Sequence, residues 1–219
     1  MKRNGTNSLI WGSTLLIAFA AWTILIQTVD VQPIGANGTD VGFAGINGLF
    51  HRLTGVHMTL YTISDWLGFV PLFVCMAFGT LGLVQLINRR SLLRVDCDLL
   101  LLGVHYILTI LAYLAFEMFP VNFRPVLIGG ALEASYPSST TLLVLGVMPT
   151  LVFQVQRRCA NTSVRNCVRI LSAVFCALMV AMRTLSGVHW LTDIAGGALL
   201  SAGLFHLYRA AVLLFLNKP

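Results

Sequence analysis

Residues 66–87 read WLGFVPLFVCMAFGTLGLVQLI, an uncharged run that stops at Arg89-Arg90 and Arg94. About 20 consecutive apolar residues suffice for a helix to cross the hydrocarbon core of a bilayer, so this stretch predicts a membrane span. Runs of the same kind recur on both sides of it, over residues 9–29, 99–119, 138–156, 169–182 and 194–216. The run 138–156 ends in Arg157-Arg158. The run 169–182 has the shortest uncharged core, and 194–216 is interrupted by Arg209, whose long stem lets the charge snorkel to the surface. The composition agrees: 57% of the 219 residues are hydrophobic and only 10% charged, against about a quarter charged in soluble domains. The prediction is an all-α, polytopic membrane protein, a six-transmembrane-helix bundle in which residues 1–219 form a single membrane-embedded domain.

The polar residues between the runs set the orientation. The formal net charge is +6, yet the basic residues form no long run or basic helix face, which argues against nucleic acid as a partner. Threading the six runs through a bilayer puts Lys2, Arg3, Arg89, Arg90, Arg94, Arg157, Arg158, Arg165, Arg169, Arg209 and Lys218 on one side. Only Arg52, Arg124 and Arg183 fall on the other. The positive-inside rule then predicts a multi-pass cell-membrane protein with both termini cytoplasmic. Arginines kept on the outer side against that trend call for another use, and binding an anion is one. The first run is longer than the core of a cleaved signal peptide and reads as a retained span. The connection from Asp30 to Asp65 is rich in Gly and Asn and predicts turns with short re-entrant or interfacial pieces. It contains His51, His57 and an Asn37-Gly38-Thr39 acceptor sequence. Cys75, Cys97, Cys159, Cys167 and Cys176 show no metal-ligand spacing, so neither a metal nor a disulfide framework is expected.

Three short stretches return to the outer side: NFRP (122–125), SYPSSTT (135–141) and RTLSGVHWLTDIAGG (183–197). Arg124 and Arg183 offer planar forks of donors that match phosphate oxygens. Pro137 followed by Ser138, Ser139, Thr140 and Thr141 predicts a helix start with proline near the first turn, where free N–H groups and the helix dipole favour an anion. His189 and Asp193 stand four apart, so on a helix the carboxylate orients the imidazole and stabilises its charged form. An oriented imidazole can attack phosphorus. Taken alone, the His189/Asp193 pair reads as helix-end hydrogen bonding, and Ser138–Thr141 as an ordinary cap. Beside two outer-face arginines, the pair reads as catalytic. His105 and His206 sit within spans and read as packing residues, and Trp11, Trp66 and Trp190 as interface anchors.

The third stretch resembles the last signature, S-R-x5-H-x3-D, of the type 2 phosphatidic acid phosphatase superfamily, which includes the vanadium haloperoxidases: Arg183, five residues, His189, three residues, Asp193. Arg124-Pro125 resembles the end of the first signature, K-x6-R-P, and Pro137-Ser138 the start of the second, P-S-G-H. The resemblance implies that His189 becomes a phosphohistidine and that Asp193 holds it. It further implies that Arg124, Arg183 and the Ser138–Ser139 turn, with Thr140 beside it, bind the phosphoryl group, and that no metal or cofactor takes part. The implied activity is hydrolysis of a phosphomonoester or diphosphate on a membrane lipid at the outer face. Candidate substrates are polyprenyl diphosphate, phosphatidic acid and phosphatidylglycerol phosphate. Four positions depart from the pattern: Glu117 replaces the lysine, Ser139 the glycine, Thr140 the histidine that protonates the leaving group, and Met182 the serine. A general acid contributes about 10²–10⁴ in rate, and a threonine hydroxyl is too weak an acid to supply it. Three readings follow. The leaving group is a phosphate that needs little protonation; or Glu117, His51 or His57 substitutes; or the chain is a weak or inactive lipid-phosphate-binding protein. A small transporter is the remaining rival, against which stands the lack of a repeated half.

Overall fold

A computed structural model of the chain describes residues 2–215. Eight helices follow one another: α1 (Lys2–Thr28), α2 (Ala44–Thr54), α3 (Met58–Leu67), α4 (Phe69–Arg89), α5 (Cys97–Met118), α6 (Ser139–Arg158), α7 (Thr162–Leu185) and α8 (Leu191–Phe215). Among the described residues the β pairing consists of isolated bridges only. Six helices are long and apolar enough to cross a membrane: α1, the continuous pair α3–α4, and α5 to α8. The all-α, six-span fold expected from the sequence is therefore the fold observed. Leu216, the last residue of the expected sixth run, and Lys218 lie outside the described residues.

Helix α6 is the hub, packing against α4, α5, α7 and α8, while α1 lies along α8. Its uncharged run carries Gly146, Thr150 and Gln154 toward the core, and they find partners there as buried polar groups must in lipid. The Gly146 carbonyl meets His105 Nε2 at 2.9 Å, and Thr150 Oγ1 meets the Tyr106 hydroxyl at 2.9 Å. His105 is thus a satisfied packing residue. Outward-facing side chains such as Ile10, Ile17, Phe73, Ile107 and Leu171 are large, apolar and exposed, as a lipid-facing surface requires.

The helix bounds differ from the expected runs where polar residues extend a helix beyond its apolar core. The fifth crossing, α7, spans Thr162–Leu185 rather than 169–182, because Asn161 caps it: the Asn161 Oδ1 accepts from the amides of Ser163 (2.9 Å) and Val164 (3.2 Å). The second crossing begins at Met58, eight residues before the apolar run, within what reads in sequence as a connection. Its 32 residues correspond to about 48 Å of helix at 1.5 Å per residue, well beyond a core of about 30 Å. Pro71 cannot donate to the carbonyl four residues back, which places a weak point where α3 passes into α4. The rest of that connection is partly ordered by α2, whose Asn47 bonds the Gly42 carbonyl and Thr192 Oγ1, both at 2.9 Å.

Connectivity collects three segments at one end of the bundle: 29–57, 119–138 and 186–190. Residues 90–96 and 159–161, and the two described ends of the chain, lie at the other.

Candidate active site

Arg124 sits in the 119–138 connection, which folds back on itself. Its amide donates to the Glu133 carbonyl (3.1 Å), and a second bridge joins Ile128 to Ala131 around Gly129 and Gly130, both at positive φ. This turn brings Glu133 Oε2 to 3.1 Å from Arg124 Nη2 and the Ala134 carbonyl to 3.4 Å from Nε. Arg183 ends α7 and is 1% exposed. Its Nη1 lies 3.3 Å from Ser64 Oγ and 3.6 Å from Asp65 Oδ1, and its Nη2 lies 3.3 Å from His189 Nε2. The Tyr61 ring centroid is 4.8 Å from the Arg183 guanidinium carbon and 5.7 Å from that of Arg124. Two donors, Arg124 Nη1 and Arg183 Nε, are buried with no protein partner among the described residues. Leaving a buried charged donor unmet is costly.

His189 lies between α7 and α8, after the turn at Gly187 (φ +68°). Arg183 can only donate, so Nε2 accepts and the ring proton is on Nδ1. Nδ1 points at Ser135, 3.1 Å from its carbonyl and 3.1 Å from its Oγ. Asp193 Oδ2 is 3.9 Å from Nδ1, too far for a hydrogen bond. The expected direct His189–Asp193 contact is corrected to a relay: Ser135 Oγ donates to Asp193 Oδ2 at 2.5 Å and stands between the two. His189 precedes the helix instead of sharing a helical face with Asp193, which explains the extra distance. The carboxylate also accepts from the Trp190 amide (2.9 Å) and from Asn122 Nδ2 (3.3 Å), so it organises three segments at once. Burial, then the Arg183 and Arg124 charges, hold the His189 imidazole well below its ordinary pKa. It is a neutral imidazole whose Nε2 lone pair accepts from Arg183 Nη2.

Arg124, Ser135 and His189 border a cavity of about 230 Å³ whose wall also includes Glu117, Glu133 and Ser139; Arg183 and Asp193 lie behind that wall. Ser138 and Thr140 are not in that wall. Ser138 is fully buried; its amide donates to the Asp193 carbonyl (3.1 Å) and its Oγ accepts from Thr141 (3.1 Å). It fastens the start of α6 to α8. Pro137 precedes the cap and is outside the helix, so Ser139 is the first helical residue and offers one of the free amides there. Thr140 faces an adjoining apolar cleft of about 410 Å³, shared with Asp65, Phe69, Ile110, Tyr113 and Ser139. Ser139 and Tyr113 border both spaces.

Glu117 is in the cavity wall, but the carboxylate paired with Arg124 is that of Glu133. His57 Nε2 is turned to the Thr54 carbonyl (2.8 Å), and the His51 ring packs 5.6 Å from that of Trp190, so neither histidine joins the wall. Trp190 is no interface anchor: it is 2% exposed and donates to the Phe123 carbonyl at 2.8 Å. Sequence reasoning missed Tyr61, Ser64 and Asp65, since their segment lacks a long apolar run. It passed over Asn122 and Ser135, although both stand inside the stretches it singled out.

Fold and site together define a polytopic helical membrane protein with a buried histidine and two buried arginines grouped beside a polar cavity at one end of the bundle. The chain belongs to the PAP2 superfamily, whose profile matches residues 72–215. Over 94% of this chain and 97% of the other, the fold is similar to that of a transmembrane PAP2-type phosphatidylglycerolphosphate phosphatase from Bacillus subtilis, with a TM-score of 0.65 at 17% identity. No curated protein matches the chain.

Proposed function

We propose that this protein hydrolyses a phosphomonoester or diphosphate group on a membrane lipid, through a phosphohistidine on His189, at the extracytoplasmic face. The observation that carries this reading is His189 in the cavity wall, its Nε2 held by a long 3.3 Å contact from Arg183 Nη2, beside two arginines with donors unmet among the described residues. Arg124, Arg183 and the Ser139 amide hold the phosphoryl oxygens. Nε2 attacks phosphorus, the bond to the leaving oxygen breaks, and the Nδ1 proton stays on the ring, where Ser135 and Asp193 stabilise the developing positive charge. Water then attacks phosphorus, the N–P bond breaks, and inorganic phosphate leaves with neutral His189 restored. Every step is met by side chains and amides of this chain, without a metal. The apolar cleft meeting the cavity at Ser139 and Tyr113 suits the lipid tail. The excess of cations at the far end supports cytoplasmic termini.

Thr140 cannot protonate a leaving alkoxide, whereas Glu117 borders the cavity and is the substitute acid in this reading. A departing phosphate needs that proton less. Glu117→Gln is therefore expected to lower turnover more on a monophosphate lipid than on a diphosphate lipid; an equal loss on both removes Glu117 from the role. The decisive experiment is phosphate release by purified protein from polyprenyl diphosphate, phosphatidic acid and phosphatidylglycerol phosphate, with His189→Ala as control. Release abolished in the control supports hydrolysis. Binding of these lipids without release, indifferent to His189→Ala, establishes instead a lipid-phosphate-binding protein.

A further inference from the structure

At the end of the bundle opposite the catalytic pocket, a cleft of about 470 Å³ opens between α6, α7 and α8. Its apolar wall includes Leu145, Pro149, Val152 and Phe205, and its polar end is formed by Arg169 and Arg209 with Gln156. Three other arginines that project from spanning helices here are neutralised within the protein, whereas Arg3 and Arg165 stand in the first turn of α1 and of α7, closer to the helix ends. Arg89 pairs with Asp96 at 2.8 Å, and Arg158 with Asp96 at 3.0 Å and Asp98 at 2.7 Å; Arg157 lies 3.6 Å from Asp98. Among the described residues no carboxylate comes within 4.0 Å of Arg169 or Arg209. Arg209 is six residues from the described end of α8 and Arg169 seven from the start of α7, so each charge is rooted about 10 Å inside its helix. An arginine within a spanning helix is costly without a counter-charge. Two of them share this cleft, and one turn away from Arg209 the Nδ1 of His206 is buried without a partner.

We infer that this cleft binds one anionic phospholipid of the leaflet facing away from the catalytic pocket, its phosphate between Arg169 and Arg209 and one acyl chain along α6. The charge accounts for the headgroup, as in basic pockets between membrane helices generally. The length accounts for the tail. From Gln156 to Leu145 the wall of α6 covers about 16 Å, close to half of a hydrocarbon core of about 30 Å. A free phosphate would meet the arginines and leave that apolar trough unused. The site shares no residue with the catalytic pocket and does not depend on the activity proposed for it.

The test is native mass spectrometry of delipidated protein titrated with dioleoylphosphatidylglycerol, a phosphodiester and so no substrate for a phosphomonoesterase, against dioleoylphosphatidylcholine. One phosphatidylglycerol is expected to be retained in preference to phosphatidylcholine. Each of Arg169→Gln and Arg209→Gln should weaken it by about fivefold, while His189→Ala and the exposed control Arg90→Gln leave it unchanged. Ala173→Trp, which fills the cleft without touching the charges, should also expel the lipid, so the proposal stays testable if an arginine variant folds poorly. Equal retention of the two lipids, or phosphatidylglycerol binding that survives Ala173→Trp and both arginine changes, overturns it. Displacement of the lipid by millimolar inorganic phosphate as effective as that by phosphatidylglycerol overturns the acyl-chain half and leaves only an anion site.

Discussion

Ser135 joins His189 to the Asp193 carboxylate, and its removal separates two contacts that the motif spacing merges. Its Oγ donates to Asp193 and accepts from His189 Nδ1. In Ser135→Ala the carbonyl of the same residue still meets Nδ1, so the tautomer survives while the link to the carboxylate is lost. Misplacement of a catalytic group by about 1 Å can cost about 10²-fold in rate. Ser135→Ala should therefore lower kcat by an order of magnitude or more and leave KM nearly unchanged, since it removes no phosphate donor. A second outcome concerns pH. His189 sits well below the ordinary value of 6.5, so it stays unprotonated as pH falls through 6.5. The acid limb of kcat/KM in the free enzyme is expected below pH 6.5, and Arg183→Gln, by removing a neighbouring positive charge, should move the limb of its residual activity upward. The same linkage sets the contribution of His189 to stability: below pH 6.5 the unfolded chain takes up a proton that folded His189 refuses, so that contribution declines as pH falls. The grouping of Arg124, Arg183, His189 and Asp193 at one end of the bundle was legible because charge, spacing and topology constrain them together. The role of Ser135 was not, because a serine hydroxyl is common in loops and only the approach of α8 to the 119–138 segment gives it two partners.

At the scale of elements, two short pieces that carry no long apolar run position the arginines and the histidine. The turn after α7 places Gly187 at φ +68°, where a Cβ would lie 2.0 Å from the Gly55 carbonyl oxygen. Gly187→Ala thus combines left-handed strain with a backbone clash, and should push the turn away from residues 55–56 and displace His189. The expected result is a fall in Tm corresponding to roughly 2–4 kcal/mol together with loss of turnover; a variant of unchanged Tm and activity would show that the turn relaxes freely. Helix α3 does the corresponding work for the arginines. Its Tyr61 face lies against both guanidinium groups, and cation–π contacts of this kind, in a dry site, contribute about 2 kcal/mol. Tyr61→Leu should raise KM for the phosphorylated lipid several-fold, and Tyr61→Phe, which keeps the ring, should restore it. The apolar cores of the spanning helices could be read from composition alone, because lipid imposes length and hydropathy on them. Helix α3 could not, since it extends the second crossing past the hydrocarbon, where Ser64 and Asp65 no longer report a membrane.

At the scale of the whole molecule, polar chemistry is concentrated at the two ends of an apolar bundle, and the ends do different work. One end leaves two arginines with donors unmet among the described residues. At the other, Asp96 and Asp98 satisfy Arg89, Arg157 and Arg158, and Gln154 ties α6 to α8 by donating to the Tyr208 hydroxyl at 2.6 Å. Asp98 is buried in the first turn of α5, where the helix dipole also favours its charge. Asp98→Asn removes a carboxylate from two guanidinium groups, each roughly a third exposed, so solvent screens part of the loss. A destabilisation of about 1–3 kcal/mol is expected, seen as a lower Tm in detergent. The full length of α6, about 30 Å at 1.5 Å per residue, separates this cluster from Ser139, and effects at such distances add independently. At temperatures where the variant is folded, kcat and KM should match the parent protein. Arg124→Gln should do the reverse under the proposed function, raising KM sharply, with a smaller fall in Tm than the loss of binding, because that guanidinium is held by a partly exposed carboxylate, one long bond to the Ala134 carbonyl and the edge of the Tyr61 contact. If Asp98→Asn instead lowers kcat in fully folded protein, the bundle is transmitting strain from one membrane face to the other, and the separation of a stabilising end from a catalytic end fails.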